Sequence, residues 1–213
     1  MLQRFFIALV VLLSFNLQAK PIAPSDLEVA PLLNGLTIPN INVQNLAGKH
    51  VNLTKVIKQK PTVLFFYRGG WCPYCNAQMG QLQAIQPKLI KMGFQIIGIS
   101  PDSPEKLNAS MTKNELGYQL YSDTNLEASK GFGVAYFTSE RMTKRYLASG
   151  KIDNQLVATP EGGKRLVLPV PAVYLIDTDG LIHFQYINPN FRVRAEPELL
   201  MTAAKLLLKK QNN

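Results

Sequence analysis

The sequence predicts an α/β domain with a mixed central sheet and helices on both faces. Two continuous apolar runs, Pro61–Arg68 and Phe94–Ser100, have the pattern of buried strands, and helical spacing follows each run. Such alternation favours parallel strands covered by helices. A hairpin pattern near the end of the chain, Pro171–Asp177 followed by Leu181–Ile187, adds antiparallel pairing. A Cys-x-x-Cys motif where the first buried strand meets its helix is the third observation.

The segment before the first buried strand is predicted to hold a short hairpin and one turn of helix. Ala47 and Gly48 supply the hairpin turn, and Asn52 or Thr54 can cap the helical turn. Residues 20–40 are irregular and contain several prolines, which indicates an extended lead-in. We therefore place the domain at residues 41–213.

The helix after the first buried strand is predicted to run from Pro73 to about Met92, where Gly93 ends it. Pro73 suits the first helical turn because an N–H at that position would have no helical partner. Pro87, inside the pattern, is expected to kink or interrupt the helix. A proline therefore stands at the start of this helix and another in its interior.

The second half of the chain has strong patterns at its ends and weaker ones between. Ser103 is the expected N-cap of a helix that follows the second buried strand. A third strand and a short helix come next. Residues 132–168 indicate only a helix around Ser139–Ala148 and then a loop, and Glu196–Lys210 has the pattern of a final amphipathic helix.

Residues 1–19 have the pattern of a secretory signal peptide. Arg4 precedes an apolar run from Phe5 to Phe15, and Ala19 is a small residue at the expected cleavage position. The run is shorter than the roughly 20 residues that span a bilayer. We therefore expect an exported protein, periplasmic if the source is a Gram-negative bacterium. An uncleaved segment acting as a membrane anchor is the alternative.

The charge of the chain gives little sign of a polyanionic partner. The formal net charge is +9 over 213 residues, but the lysines and arginines are scattered. Nucleic-acid-binding proteins concentrate such charge on one face or in runs with interleaved aromatic residues. No such run is present, so we expect no nucleic-acid partner.

Cys72 and Cys75 are the only two cysteines of the chain. The loop that they close is so short that a disulfide there removes little entropy from the unfolded chain. A chemical role is therefore favoured over a structural one. The start of a helix lowers the pKa of a thiol, so Cys72 is the expected nucleophile and Cys75, one turn further on, the resolving thiol.

Other uses of two cysteines fit the sequence less well. Zinc needs about four ligands, and His50 and His183 are far apart in the sequence. A cysteine hydrolase needs a partnered histidine, and neither histidine is singled out. No metal or other cofactor is expected. A static disulfide in a binding module stays open as a non-catalytic alternative.

The motifs together resemble a known family. "VLFFYRGGWCPYCNAQMGQLQ", "IIGISPDSPEK" and "LPVPAVYLIDTDGLIHFQYINPNFRVRAEPE" are similar to the peroxiredoxin-like branch of the AhpC/TSA (alkyl hydroperoxide reductase / thiol-specific antioxidant) family, which has a thioredoxin-like fold. The resemblance implies an antioxidant enzyme that reduces peroxides or protein disulfides through a redox-active disulfide. It also implies that another dithiol protein supplies the electrons.

The resemblance extends to residues around the two thiols. It implies that Pro171 is a cis-proline opposite the cysteines, with Pro169 as a second candidate. The alternative is that Pro171 is an ordinary trans proline that starts a strand. Arg68 could lower the pKa of Cys72 or bind an anionic substrate, or be an ordinary surface arginine. Trp71 is expected to shield the disulfide and contact a partner, or to be an ordinary core tryptophan. Tyr74, next to Pro73 in the motif, is expected to set the environment between the thiols. In the same way, Arg192 or Arg194 is expected near the site.

The chain departs from the family pattern at one point that concerns the reaction. Peroxiredoxins have P-x-x-x-[ST]-x-x-C around the peroxide-reactive cysteine. Counted back from Cys72, Gly69 replaces the hydroxyl residue and Phe65 the proline, and counting from Cys75 fits no better. The Cys-Pro-Tyr-Cys motif is also that of glutaredoxins. Disulfide reduction and dithiol oxidation of client proteins therefore remain alternatives to peroxide reduction.

Overall fold

The computed structural model describes residues 20–152 and 154–211. The predicted signal peptide lies outside these residues, so export stays a prediction. No helix in the described part of the chain is both long enough and apolar enough to cross a membrane. The strands are β1 Asn42–Gln44, β2 His50–Asn52, β3 Thr62–Phe66, β4 Gln95–Ser100, β5 Gln119–Ser122, β6 Ala135–Phe137, β7 Leu156–Ala158, β8 Lys164–Pro169, β9 Ala172–Ile176 and β10 Ile182–Ile187. The helices are α1 Leu53–Ile57, α2 Pro73–Lys91, α3 Pro104–Lys113, α4 Glu127–Gly131, α5 Glu140–Ala148 and α6 Pro197–Gln211.

Seven strands form the central sheet in the order β10-β9-β3-β4-β5-β1-β2. The three strands β3, β4 and β5 are parallel, and the other pairings are antiparallel. The predicted mixed sheet is therefore confirmed, as is the closing hairpin of β9 and β10. The short hairpin of β1 and β2 is confirmed too, and Asn52 caps α1 by accepting from the backbone N–H of Lys55 at 2.9 Å.

Helices cover both faces of this sheet, as predicted. Alternate residues of β3 and its extension point to opposite sides, as in any strand. Val63, Phe65 and Tyr67 pack into one core with side chains of α2 and α6. Leu64 and Phe66 pack into a second core with α1 and with Ala128 of α4. Both cysteines belong to the first core, so the thiols lie on the side of the sheet that α2 and α6 cover.

A second sheet of three strands, in the order β6-β8-β7, was not predicted. The expectation of a loop after the helix α5 is wrong, because residues 156–169 form the hairpin of β7 and β8. Two of the three strands have only three residues, too few for an alternating pattern to stand out. Residues 20–40 contact this sheet, where Ala23 bridges to Tyr136.

The backbone bears on two predictions about prolines. The helix α2 continues through Pro87, so the predicted interruption is wrong, and the alternative of a kink stays a prediction. Its buried neighbours Ile85 and Leu89 pack in the core on either side, and this packing outweighs the lost hydrogen bond. The bond before Pro171 is trans, since no peptide bond in the described residues is cis. The trans form is the more stable one even before proline.

Candidate active site

Cys72 is the N-cap residue of α2 and Pro73 is its first helical residue, as predicted. The backbone of Cys72 is extended, and its carbonyl oxygen accepts hydrogen bonds from the backbone N–H groups of Cys75 and Asn76, both at 3.1 Å. The thiol of Cys72 therefore stands at the end of the helix where N–H groups lack helical partners. This end also carries the positive part of the helix dipole.

The turn before Cys72 is held from two sides. The backbone N–H of Cys72 donates to Gly69 O at 3.1 Å. The N–H of Gly70 donates to the buried carboxylate of Asp102, Oδ2, at 2.7 Å, and the Asn76 side chain donates to Gly70 O at 2.9 Å. The turn that leads to Cys72 is consequently held by Asp102, which follows β4, and by Asn76 of α2.

Position 69 has no room for a side chain. Gly69 has φ +145°, a left-handed conformation that favours glycine. A Cβ atom there would lie 2.2 Å from Nε1 of Trp71 and 2.7 Å from Oδ1 of Asp102. A hydroxyl residue three positions before Cys72 is therefore incompatible with this turn.

Both thiols are free and buried, with 1% of Cys72 and none of Cys75 exposed. A hydrogen bond from the Cys75 thiol, the backbone N–H of Cys75 and the charges of Arg68 and Arg194 outweigh burial and lower the pKa of Cys72 to about 6. Burial and the neighbouring Cys72 raise the pKa of Cys75 well above its usual value. The division into nucleophile and resolving thiol stays a prediction, and these opposite pKa shifts are the physical argument for it.

Arg68 is a buried residue, only 1% exposed, so the interpretation as a surface arginine is wrong. Its guanidinium lies over three aromatic rings, at 4.1 Å from the centroid of Phe191 and 5.1 Å from those of Trp71 and Tyr146. Its Nη2 donates to the hydroxyl of Tyr146. No carboxylate of the described residues forms an ion pair with it.

Arg194 is the one of the two arginines, Arg192 and Arg194, that lies at the cysteine motif. Its Nη2 donates to the sulfur of Cys75 at 3.5 Å, and its Nη1 donates to backbone oxygens of Phe191 and Val193. Arg192 is exposed and approaches only the Phe191 ring, at 5.8 Å. The family pattern indicated that one of the two arginines lies at the site, and the geometry selects Arg194.

The aromatic residues of the motif face different surroundings. Trp71 is partly buried, packs beside the core that contains both cysteines, and contacts the Tyr146 ring in a tilted arrangement with 4.9 Å between the ring centroids. The Tyr74 side chain is 40% exposed and meets the edge of Phe191 at 5.8 Å. Tyr74 therefore lies partly at the surface, and its influence on the environment between the thiols stays a prediction.

The remaining candidate residues have structural surroundings. Pro171 is buried and directly precedes β9, whose first residue Ala172 pairs with Phe66 at the end of β3. This register places Pro171 at the end of the sheet where the cysteine motif begins, although its peptide bond is trans. His183 pairs with Asp177 at 2.7 Å in the β9–β10 hairpin. Within the described residues, no group of three His, Cys, Asp or Glu side chains could hold a metal ion.

Comparison with known proteins identifies the family. The model of the AhpC/TSA family matches residues 35–185. The chain belongs to the AhpC/TSA family. Its thioredoxin-like fold is shared with solved structures: the reduced Prx3 from Vibrio vulnificus in complex with hydrogen peroxide has a TM-score of 0.65 at 16% identity, covering 82% of this chain and 96% of that one.

Curated AhpC/TSA relatives align with about half of the chain. Peroxiredoxin Bcp of Escherichia coli is 34% identical over 104 residues, which make up 49% of this chain and 66% of that protein. The chloroplastic peroxiredoxin Q of Sedum lineare is 31% identical over 121 residues, 57% of this chain and 64% of that protein. The chain thus spans slightly less than two thirds of the length of these relatives.

Proposed function

We propose that the chain is a thiol-dependent peroxidase in which Cys72 attacks the peroxide and Cys75 resolves the product. The observation that carries the proposal is the pairing of the two thiols at the start of α2. The sulfur of Cys72, with a pKa of about 6, is a thiolate at neutral pH, and the protonated thiol of Cys75 is hydrogen-bonded to it. AhpC/TSA membership supports a peroxide as the substrate.

The proposed reaction has two steps at the enzyme. The Cys72 thiolate attacks one peroxide oxygen and the O–O bond breaks, so that the sulfur becomes a sulfenic acid. The other peroxide oxygen leaves with its substituent, takes up a proton, and forms water or an alcohol. The Cys75 sulfur then attacks the Cys72 sulfur, and the sulfenic oxygen leaves as water. The enzyme is left with a disulfide and has taken up both oxidising equivalents.

A dithiol protein is proposed to reduce this disulfide and complete the cycle. Attack by one donor thiol on a sulfur of the pair forms a mixed disulfide, and the second donor thiol releases the reduced enzyme. We propose that this occurs outside the cytosol, on the basis of the signal-peptide pattern of residues 1–19.

The sequence around the cysteines and the burial of Cys72 favour different substrates. The Cys-Pro-Tyr-Cys sequence and the absence of the family's hydroxyl residue favour disulfide exchange. Only 1% of Cys72 is exposed, and this burial favours a small substrate. A disulfide of a folded protein is too bulky to reach the Cys72 sulfur unless the residues around it move. We therefore give peroxide reduction priority and keep disulfide exchange as the second candidate.

Rapid mixing of the reduced protein with hydrogen peroxide, and separately with a model protein disulfide, tests the proposal. Trp71 is the only tryptophan, so its fluorescence reports oxidation of the neighbouring thiols. We expect fast oxidation by peroxide, formation of the Cys72–Cys75 disulfide, and no response from Cys72→Ser. Oxidation by the protein disulfide alone would favour exchange, and no reaction with either would point to a binding module or a dithiol oxidase.

A further inference from the structure

A cavity of about 220 Å³ lies beside Arg68, between the second sheet and the N-terminal lead-in. It does not coincide with the contacts that hold the two thiols. Its lining contains two arginines, several hydroxyl groups and one carboxylate, with aromatic rings on one side: Pro24, Ser25, Asp26, Arg68, Tyr136, Phe137, Thr138, Ser139, Met142, Tyr146, Arg165 and Phe191. The lining is therefore largely apolar and aromatic, and its two arginines against one carboxylate give it a net positive charge.

Arg68 is the part of this lining that indicates a ligand. A buried charge is costly unless an opposite charge or a full set of hydrogen bonds compensates it. Arg68 has one hydroxyl acceptor, Tyr146, and its buried Nε has no hydrogen-bond partner in the described part of the chain. The carboxylate of Asp26 also lines the cavity but forms no ion pair with Arg68.

A second arginine completes the positive lining. Arg165 of β8 lies over the Phe137 ring at 5.3 Å, and its one ion pair is with Glu161 at 3.3 Å. The Glu161 side chain is 68% exposed, so this pair is weak and a buried anion could compete with it. Each guanidinium presents its N–H donors in a fixed fork that suits a carboxylate, and both arginines line the cavity.

Arg68 links this cavity to the reacting thiol. Its guanidinium lines the cavity and lies 5.1 Å from the centroid of the Trp71 ring, and Trp71 directly precedes Cys72 in the chain. The charge of Arg68 also acts on Cys72. A carboxylate bound by Arg68 would therefore lie in the part of the molecule that also contains the Cys72 thiol.

We propose that this cavity binds the carboxylate of the peroxide substrate, so that the preferred substrates are small organic hydroperoxides that carry a carboxylate. This inference rests on the peroxidase activity proposed above. The Cys72 thiolate attacks the terminal oxygen of the hydroperoxide, the O–O bond breaks, and a carboxylated alkoxide leaves and takes a proton from water. The sulfur is oxidised to a sulfenic acid, and the organic product is the corresponding alcohol.

A matched pair of substrates tests the inference in the intact chain. Cumene hydroperoxide and its 4-carboxy derivative differ in the carboxylate and share the reacting group. We expect a kcat/KM about tenfold higher for the carboxylated compound, the size of one charge-assisted contact. The variant Arg165→Gln should lower this ratio several-fold, and Arg165→Lys should retain part of it.

The outcomes separate the two proposals. Equal kcat/KM values for both hydroperoxides, or a ratio that Arg165→Gln leaves unchanged, would overturn the carboxylate site and leave the peroxidase activity standing. The exposed Arg145 on α5 provides a matched control, since Arg145→Gln removes the same charge outside the cavity and should not change the ratio.

A binding measurement keeps the inference testable even if neither hydroperoxide is reduced. The product analogue 4-carboxycumyl alcohol is titrated into the reduced protein, with Trp71 fluorescence as the signal, because Trp71 contacts Arg68. We expect tighter binding than for cumyl alcohol, and weaker binding in Arg165→Gln. Binding should persist in Cys72→Ser, where the thiolate no longer supplies a negative charge near Arg68. Equal or undetectable binding of both alcohols would overturn the site.

Discussion

Cys72 and Cys75 lie one turn apart at the start of the same helix, yet their surroundings change their pKa values in opposite directions. Cys72 at the N-cap receives hydrogen bonds from Cys75 and the charge of Arg68, which lower its pKa to about 6. Cys75 in the first turn lies in the apolar core, and burial raises its pKa. Position alone thus gives two chemically identical side chains the different surroundings on which the proposed roles of nucleophile and resolving thiol rest.

The difference also shows what each thiol needs from its neighbours. A thiolate at Cys72 can attack a peroxide without first losing a proton. Cys75 must stay protonated while it donates to Cys72 and lose its proton only when it attacks the sulfenic acid. Arg194, which donates to the Cys75 sulfur at 3.5 Å, is placed to stabilise the negative charge that then develops.

Removing one thiol at a time tests the division of roles most directly. We expect Cys72→Ser to lower the rate of oxidation by hydrogen peroxide about a thousandfold, because the nucleophile is lost. Cys75→Ser should keep the first oxidation step but stop turnover, with a sulfenic acid at Cys72 that dimedone traps and mass spectrometry detects. Equal loss of the first step in both variants would contradict separate roles.

The turn before Cys72 predicts the next largest effect, measured as stability. Gly69→Ser restores the hydroxyl residue of the peroxiredoxin pattern, but its side chain would collide with Trp71. We expect the free energy of unfolding in urea to fall by about 2 kcal/mol, and peroxide oxidation of Cys72 to slow. Gly80→Ser, at an open position of α2, is the control. A stable Gly69→Ser variant with faster oxidation would show that the turn accepts the hydroxyl.

The elements around the two thiols differ in how well the sequence predicts them. The strand before Cys72 and the helix that begins at Pro73 have long, clear patterns, so the N-cap position of Cys72 could be predicted. The contact of Arg194 with Cys75 joins residues 119 positions apart and depends on how the β10–α6 loop packs. Arg68 follows an apolar strand, but its aromatic surroundings come from Tyr146 and Phe191, which no local pattern connects to it.

The pH dependence of the reactivity of Cys72 tests the difference in pKa between the two thiols. Its thiolate forms as the pH rises through about 6, so the rate of alkylation by iodoacetamide should rise with pH and level off above pH 7. Between pH 7 and pH 5 we expect about a tenfold fall in rate, as for any group that titrates near the middle of this range. The measurement uses Cys75→Ser in parallel to confirm which thiol reacts. A midpoint near the usual value for a free thiol would contradict the assigned surroundings.

Arg68→Met removes one of the charges that lower the pKa of Cys72. The midpoint of the alkylation profile should move upward, and the rate at pH 6 should fall about fivefold. Arg145→Met, an exposed change on α5, should leave the profile unchanged. Arg68→Lys keeps the charge and is the check on folding, since Arg68 is buried. If Arg68→Met and the unchanged chain have the same profile, Cys75 and the N-terminal end of α2 lower the pKa of Cys72 without a contribution from Arg68.

Arg194→Met is expected to have the smallest effect, and one that falls on the other thiol. Arg194 touches the sulfur of Cys75, so the step that should slow is closure of the disulfide, by about threefold, after a first oxidation that is nearly normal. Rapid mixing with hydrogen peroxide separates the two phases in Trp71 fluorescence. Arg192→Met, two residues away in the same loop and exposed, is the matched control. If the first phase slows and the second does not, the main effect of Arg194 is on Cys72, whose pKa its charge also lowers, and not on the Cys75 sulfur that it contacts.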